Sequence, residues 1–177
     1  LSLGLFERDD ARIRESIATL AAADAKGTFA RSFALLSSGL QKVPADAVPA
    51  VREMLLGVVA GREPGEDAKP CALLGLGELR DPASVPELLA AMHDGKLPRP
   101  RAEDLSDLER SYVVQALGRI GLPGTGPGHE TDVVDGVLRV LSREGGVSHT
   151  RRSAVAALGR LGPACPPKTL DRVVGAL

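Results

Sequence analysis

The fold is decided by the stretch Arg151-Arg152-Ser153-Ala154-Val155-Ala156-Ala157-Leu158-Gly159-Arg160-Leu161-Gly162-Pro163, because nearly the same pattern occurs three more times earlier in the chain. The earlier copies are centred on Gly39, Gly77 and Gly118, and successive key glycines are 38, 41 and 41 residues apart. A repeat of this length is typical of helical repeat proteins, in which each unit buries its apolar side against its neighbours. The sequence therefore predicts a repeat architecture and says much less about function.

Each copy predicts one helix. In the last copy, Val155, Leu158 and Leu161 are spaced three apart with alanines between them, which indicates an apolar stripe flanked by small residues. Gly118 and Gly159 fall in the final turn, where a missing side chain either lets another helix cross closely or eases the turn out of the helix. We therefore expect these Ala-Leu-Gly helices to pack directly on one another.

A second set of helices alternates with the Ala-Leu-Gly helices and shows apolar residues at i, i+3, i+4 and i+7. Ser84 with Glu87, and Ser106 with Glu109, have the spacing of a capping box and predict two helix starts. In the second helix of the chain, Phe29, Phe33 and Leu36 predict an apolar stripe. Altogether we expect about nine helices.

The repeated segments resemble HEAT repeats, in the short HEAT-like form that is shared with phycobilisome bilin lyases. The resemblance covers about residues 66–93 and 106–163 and is poor for 1–27. It implies an all-α, right-handed α-solenoid of roughly four helical hairpins. We expect a single HEAT-like domain over residues 1–177, with 1–27 as an atypical N-terminal cap, 66–163 as the clearest repeats, and the whole as a segment of a longer array.

The resemblance also implies a structural ladder of basic residues. Each copy has a basic residue eight positions before its key glycine, and these residues are Arg31, Lys69, Arg110 and Arg151. In the family such a residue pairs with an acidic group of the same or the adjacent repeat, which suggests Asp67 and Asp107 as partners. His149 stands where the last copy would carry its acid.

Composition narrows the possible functions. Twenty-two basic and twenty-three acidic side chains give a net charge of −1, so no overall field attracts nucleic acid or an anionic membrane. Aromatic residues make up 2% of the chain and tryptophan is absent, which argues against base-stacking or sugar-binding platforms. No apolar run reaches the roughly 20 residues of a membrane span. We expect neither a nucleic-acid nor a membrane partner.

The source of the chain is predicted only in outline. A composition rich in Ala, Gly, Arg and Leu suggests a bacterial, GC-rich genome. The first residue is Leu1, so we interpret the chain as a segment or a processed product, with a removed signal peptide as an open alternative. We slightly favour a cytoplasmic location.

The residues do not predict a catalytic, metal or cofactor site. Three histidines lack metal-ligand spacing, and Cys71 and Cys165 suggest neither a disulfide framework nor a metal site. Residues 124–128 are glycine-rich but lack the Gly-Lys-Ser/Thr ending of a phosphate-binding loop. Two insertions, residues 94–101 and 122–129, are candidate binding loops, although we favour tolerated flexible loops. We therefore expect a protein that is not an enzyme and needs no cofactor.

A basic constellation is the best candidate site. Arg119 and Arg160 directly follow key glycines, and Arg151 and Arg152 lie on the same class of helix. In HEAT-like stacks these helices line the concave surface, so Arg119, Arg151, Arg152 and Arg160 are our candidate residues for binding an acidic partner. Ordinary solvated arginines are the simpler interpretation, because isolated surface charges contribute little.

The function that we expect is a non-enzymatic protein-interaction or scaffold module, which binds another protein or peptide on its concave face. An accessory lyase or chaperone-like role related to the bilin lyases is the alternative, although Tyr112 is the only tyrosine available to grip a tetrapyrrole. An alkylpurine glycosylase of HEAT-like type would need a basic, aromatic cleft, which the composition disfavours. Oligomeric state is not predicted.

Overall fold

The computed structural model describes residues 11–22, 29–61, 67–122, 130–142 and 148–176. Within these ranges the chain forms nine α-helices and no strand, as expected for a solenoid of helical hairpins. The helices are α1 Ala11–Ala22, α2 Phe29–Leu40, α3 Val48–Ala60, α4 Ala68–Leu79, α5 Val85–Asp94, α6 Asp107–Ile120, α7 Glu130–Ser142, α8 Ser148–Leu161 and α9 Pro167–Ala176. That the superhelix is right-handed stays a prediction.

The helices form two layers. The inner layer consists of α2, α4, α6 and α8, each packed along the next. Helices α3, α5 and α7 flank this layer and form the outer layer, while α1 packs on α2 and α9 on α7. Between the layers lies a core of leucine, valine and alanine, with fully buried side chains such as Leu55, Leu76 and Leu117. A thin core of this kind explains how the chain folds with so few aromatic residues.

Small residues set the spacing of the inner layer. A Cβ atom added to Gly39 would overlap the Gly75 carbonyl group, and one added to Gly118 would lie 2.7 Å from the Ala157 Cα atom. Gly77 approaches Ala116 in the same way. The predicted close crossing is confirmed at Gly118, and Gly39 and Gly77 show the same close approach, because a side chain there would push two helix backbones apart. At Gly159 the prediction of a close crossing is wrong, since a Cβ atom there would meet nothing within 4 Å.

The two predicted capping boxes have different outcomes. The Ser106 box is confirmed, because the Ser106 hydroxyl accepts the Glu109 amide and Glu109 Oε2 accepts the Ser106 amide, at 3.3 and 2.6 Å. The Ser84 box is wrong. A single turn of 3-10 helix, Pro82–Ser84, precedes α5, and the Asp81 side chain caps that turn by accepting the Ala83 amide. Ser84 is buried, and its hydroxyl has no partner among the described residues.

The insertion after α5 is held in place by side-chain and backbone bonds, so our expectation of a flexible loop at residues 94–101 is wrong. Arg99 NH2 donates to Glu87 Oε1 on α5 at 2.8 Å and to Glu53 Oε2 on α3 at 3.0 Å. Leu97 is fully buried, and the Leu105 amide bonds the Gly95 carbonyl group. Because Arg99 joins two successive outer helices, the insertion acts as a clamp between repeats. The second insertion lies mostly outside the described residues.

Several apolar residues are more exposed than their helical spacing suggested. Phe29 is 72% exposed, so the stripe of Phe29, Phe33 and Leu36 does not point into the core. Val155 of α8 is 46% exposed, although Leu158 and Leu161 of the same predicted stripe are fully buried. Helical spacing identifies a face, and the neighbouring helices decide whether that face is covered.

Candidate functional site

One face of the inner layer is open to solvent, and we call it the inner surface. On α2 the residues Phe29, Phe33, Leu36 and Leu40 recur at i, i+4, i+7 and i+11, which places them on one side of the helix. Phe29 is exposed, the other three are half-buried, and the two rings stack with centroids 6.4 Å apart. This end of the inner surface is apolar.

The other end of the inner surface carries charge. Counting from the key glycines, Glu78 on α4, Arg119 on α6 and Arg160 on α8 occupy the position that Leu40 has on α2. Arg119 forms an ion pair with Glu78 across the two inner helices. Burial lowers the pKa of Arg119, and the positive charge of Arg160 lowers it further. Arg160 is exposed, so it is the more accessible of the two.

The other two predicted binding residues lie elsewhere. Arg151 and Arg152 border a groove at the end of the stack, with a volume of about 1080 Å³, which we call the terminal groove. Its lining comes from α7, α8 and α9 and includes Asp135, Leu138, Arg139, Leu141, Val155 and Arg172. Arg172 is bonded to Asp135 at 2.8 Å. The structure thus divides the four predicted arginines into two pairs, Arg119 with Arg160 and Arg151 with Arg152.

Sequence reasoning missed two of the groove arginines, Arg139 and Arg172. Both lie on outer helices, among apolar residues whose spacing predicted the helix and nothing more. A basic residue within an amphipathic helix is too common to indicate a site. The packing of α7 and α9 beside α8 is what gathers them around the groove.

Two residues of the basic column, Arg31 and Arg110, bond backbone carbonyl groups. Arg31 Nε donates to the Ala21 carbonyl group at 3.1 Å, and Arg110 NH2 donates to the Met92 carbonyl group at the same distance. Each acceptor lies in the last turn of the preceding helix, where carbonyl groups lack helical partners and attract a positive charge.

Lys69 and Arg151 complete the column. Lys69 is only 7% exposed, and its Nζ atom lies 3.6 Å from Glu103 and 4.0 Å from Glu109. Lys69 thus pairs with these glutamates and not with Asp67. Arg151 is exposed at the terminal groove.

Other reactive groups are few. Cys71 and Cys165 are free and half-buried, and burial raises the pKa of both thiols, with the Asp67 charge adding to the effect at Cys71. No cluster of three or more His, Cys, Asp or Glu residues that could hold a metal ion occurs in the described part of the chain. Over the same residues, no helix is long and apolar enough to cross a membrane.

Comparison with known families identifies the repeat. Residues 72–94 match the model of the PBS lyase HEAT-like repeat. The match begins within α4 and ends with α5, so it covers most of one inner helix and the following outer helix. This segment of the chain is therefore similar to a HEAT-like repeat. No curated protein and no solved structure matches it.

The matched segment also locates the HEAT-like unit in the structure. It contains Gly77, which lies against Ala116 of α6, and Glu78, which forms an ion pair with Arg119 of the next repeat. It ends in α5, which carries Glu87, one of the two glutamates bound by Arg99. The HEAT-like unit therefore contributes residues to both layers and to the contacts between neighbouring repeats.

Proposed function

We propose that this HEAT-like repeat protein is a non-enzymatic interaction module, which binds a segment of another protein along its inner surface. The observation that carries the proposal is the exposure of Phe29, stacked on Phe33, on the same helix layer as the exposed Arg160. Aromatic and arginine side chains are enriched among the residues that dominate binding energy at protein interfaces. The surface suits a partner segment with an apolar part and an acidic part.

The close approach of the inner helices supports the inner surface as the concave side. The inner helices approach one another through Gly39, Gly77 and Gly118, and they contact one another more extensively than the outer helices do. In a solenoid the closely spaced layer lies on the inside of the curve, and concave surfaces are where such proteins hold extended partners. The non-enzymatic role rests on the sequence, where no nucleophile stands at a recognisable spacing from a base.

Site-specific photocrosslinking tests this proposal. The photoreactive residue benzoylphenylalanine is introduced in place of Phe33 on the inner surface, or in place of the exposed Ala83 beside the outer helix α5. We expect the same partner protein to be crosslinked repeatedly from position 33 and not from position 83. Equal crosslinking from both positions would contradict the proposal.

Charge reversal then tests the arginines. Arg160→Glu changes an exposed residue and leaves the Glu78 ion pair of Arg119 in place, whereas Arg119→Glu puts two carboxylates together. We expect Arg160→Glu alone to reduce the crosslinking yield from position 33. The double variant Arg119→Glu/Arg160→Glu should reduce the yield further, while its circular-dichroism spectrum remains that of a helical protein. An unchanged yield in both variants would remove these arginines from the site.

A further inference from the structure

The inner helices run parallel and in register. Where α6 meets α8, the Thr150 hydroxyl donates to the Asp107 carbonyl group at one end of the helices, and Gly118 lies against Ala157 near the other end. The key glycines of α2 and α4 each contact the residue two positions before the next key glycine, as Gly118 does. Residues at equal distances from their key glycines therefore form rows across the inner surface.

Two of these rows make a hydrophobic strip across α2, α4 and α6. They consist of the residues three and six positions before each key glycine, and all six side chains are half-buried. These residues, which we call the apolar strip, are Phe33, Leu36, Cys71, Leu74, Tyr112 and Gln115. Five of them are hydrophobic, and the amide of the sixth, Gln115, already donates to Ser153 of α8 at 3.1 Å. The strip has helices on both sides, because α1 packs on α2 and α8 packs on α6.

The chemistry of the apolar strip decides the backbone form of a segment that covers it. Each residue of a peptide carries a backbone donor and acceptor, and covering these groups without partners costs free energy. The backbone groups of α2, α4 and α6 are bonded within the helices, and the side chains of the strip offer little beyond one thiol, one phenol and one amide. An extended segment would leave most of its backbone groups unpaired there. An α-helix pairs its own backbone and presents only side chains to such a groove.

The dimensions of the strip suit a short helix. Packed helices lie about 8–10 Å apart, so the axes of α2 and α6 are separated by about 16–20 Å. A helix rises about 1.5 Å per residue and crosses that distance in about 11–13 residues. Apolar residues at i, i+3, i+4, i+7 and i+11 of such a helix would contact all three inner helices.

Exposed charges of opposite sign border the strip. Lys42 and Arg80 lie at the edge formed by the C-terminal ends of α2 and α4, and both are exposed. Asp67 and Asp107 lie at the opposite edge, formed by the N-terminal ends of α4 and α6, and are also exposed. Each sign is the one that the dipoles of the inner helices favour at that edge. A segment with one acidic and one basic flank would complement both edges.

We propose that the segment bound on the inner surface is an amphipathic α-helix of the partner protein. It lies across α2, α4 and α6 with its apolar face on the apolar strip. Its acidic flank faces Lys42 and Arg80, and its basic flank faces Asp67 and Asp107. This inference rests on the proposed function and specifies the kind of partner. An extended segment bound on the same surface would agree with the proposed function and contradict the inference.

Two peptides of identical composition test the inference with the full chain. Both are fluorescein-labelled, end-blocked and made of the same leucine, alanine, glutamate and lysine residues, with a length of about 18 residues that permits a helix. In the helical peptide, leucines recur at i, i+3, i+4 and i+7, with glutamates on one flank and lysines on the other. In the alternating peptide, leucines occupy every second position. We expect saturable binding of the helical peptide, and binding of the alternating peptide weaker by about tenfold or more.

Two cysteines report where the peptide binds. Cys71 belongs to the apolar strip, Cys165 follows α8, and both thiols are free and half-buried. Their alkylation by N-ethylmaleimide is followed by mass spectrometry with and without the helical peptide. At a peptide concentration of about ten times Kd, alkylation of Cys71 should slow about tenfold, because the free protein is the form that reacts. Alkylation of Cys165 should not change.

Two half-buried leucines provide a matched pair of variants. Leu74→Gln puts an amide in the middle of the apolar strip, while Leu141→Gln makes the same change on the outer helix α7. We expect the Leu74 variant to weaken binding of the helical peptide about tenfold or more and the Leu141 variant to change it by less than about twofold. The variant Lys42→Glu/Arg80→Glu should weaken binding by about two- to tenfold, since exposed charges each contribute modestly.

Three results would overturn the inference. These are equal affinities for the helical and alternating peptides, unchanged binding by Leu74→Gln, and no saturable binding at peptide concentrations up to about 1 mM, the weakest affinity of interest. Equal affinities together with protection of Cys71 would reject the helix and keep the inner surface as the binding site. Protection of Cys165 alone would place the peptide elsewhere and also contradict the inference. Failure of the proposed function shows separately, as equal photocrosslinking from positions 33 and 83.

Discussion

At the scale of single residues, equivalent positions in the repeat have different energetic roles because their neighbours differ. Gly118 and Gly159 occupy the same position in successive copies, yet Gly118 lies against Ala157 and Gly159 faces open space. Arg119 and Arg160 also correspond, but Arg119 is paired with Glu78 while Arg160 is exposed. The free energy of a substitution therefore depends on whether the following repeat covers the residue.

Replacing each of these glycines with alanine tests this dependence. Gly118→Ala should lower the free energy of unfolding by about 2 kcal/mol, since its new methyl group collides with a helix backbone. Gly159→Ala should raise it by about 0.5–1 kcal/mol, because alanine favours a helix over glycine and meets no obstacle. Urea unfolding followed by circular dichroism measures both. A destabilised Gly159→Ala variant would show that α8 is covered in solution.

At the scale of helices and loops, polar contacts decide where elements begin and how they are held. The Ser106 and Glu109 box starts α6, whereas Ser84 precedes α5 without capping it. The two sequences look alike, but the Asp81-Pro82 turn before α5 already supplies a capping side chain. Local spacing alone could not distinguish these two helix starts.

Serine-to-alanine substitutions separate the two starts. Ser106→Ala should cost about 1 kcal/mol of unfolding free energy, because the amide of the third helical residue loses its acceptor. Ser84→Ala should cost less than about 0.5 kcal/mol, since it removes a buried hydroxyl group that has no partner among the described residues. Urea titrations of the two variants measure both losses of unfolding free energy. Equal losses would contradict the assignment of Ser106 as a helix cap and of Ser84 as a residue that caps nothing.

The clamp formed by Arg99 is a second test at this scale. Arg99→Ala should lower the free energy of unfolding by about 1–2 kcal/mol, because a partly buried guanidinium group joins two glutamates there. Arg99→Lys should recover part of that loss, since an ammonium group cannot reproduce the planar contacts. The exposed Lys96 of the same insertion provides the control, and Lys96→Ala should have little effect. If both alanine variants behave alike, the insertion does not clamp the repeats.

At the scale of the whole molecule, the stack has neighbours on both sides only in its middle. Among the helices that the structure describes, α4 and α6 each lie between two other inner helices, while α8 contacts one inner helix, α6. In repeat proteins, stability is approximately the sum of the repeats and the contacts between adjacent repeats. The end of the stack near α8 should therefore open more readily than the middle.

Hydrogen exchange measures this gradient. We expect the slowest amides in α4 and α6, and exchange faster by about tenfold or more in α8 and α9, since local opening there breaks fewer contacts. Uniform exchange along the chain would show that the repeats unfold as a single cooperative unit.

The sequence alone determined the helices, the repeat and the close crossing of the inner layer, because these follow from local spacing and from residues such as Gly118 and Ser106. Only the tertiary structure decided which faces are covered. It placed Phe29 at the surface, exposed Val155, separated Arg151 and Arg152 from Arg119 and Arg160, and gathered Arg139 beside α8. The physical reason is that helical periodicity depends on residues a few positions apart, whereas burial depends on helices that lie tens of residues away in the chain.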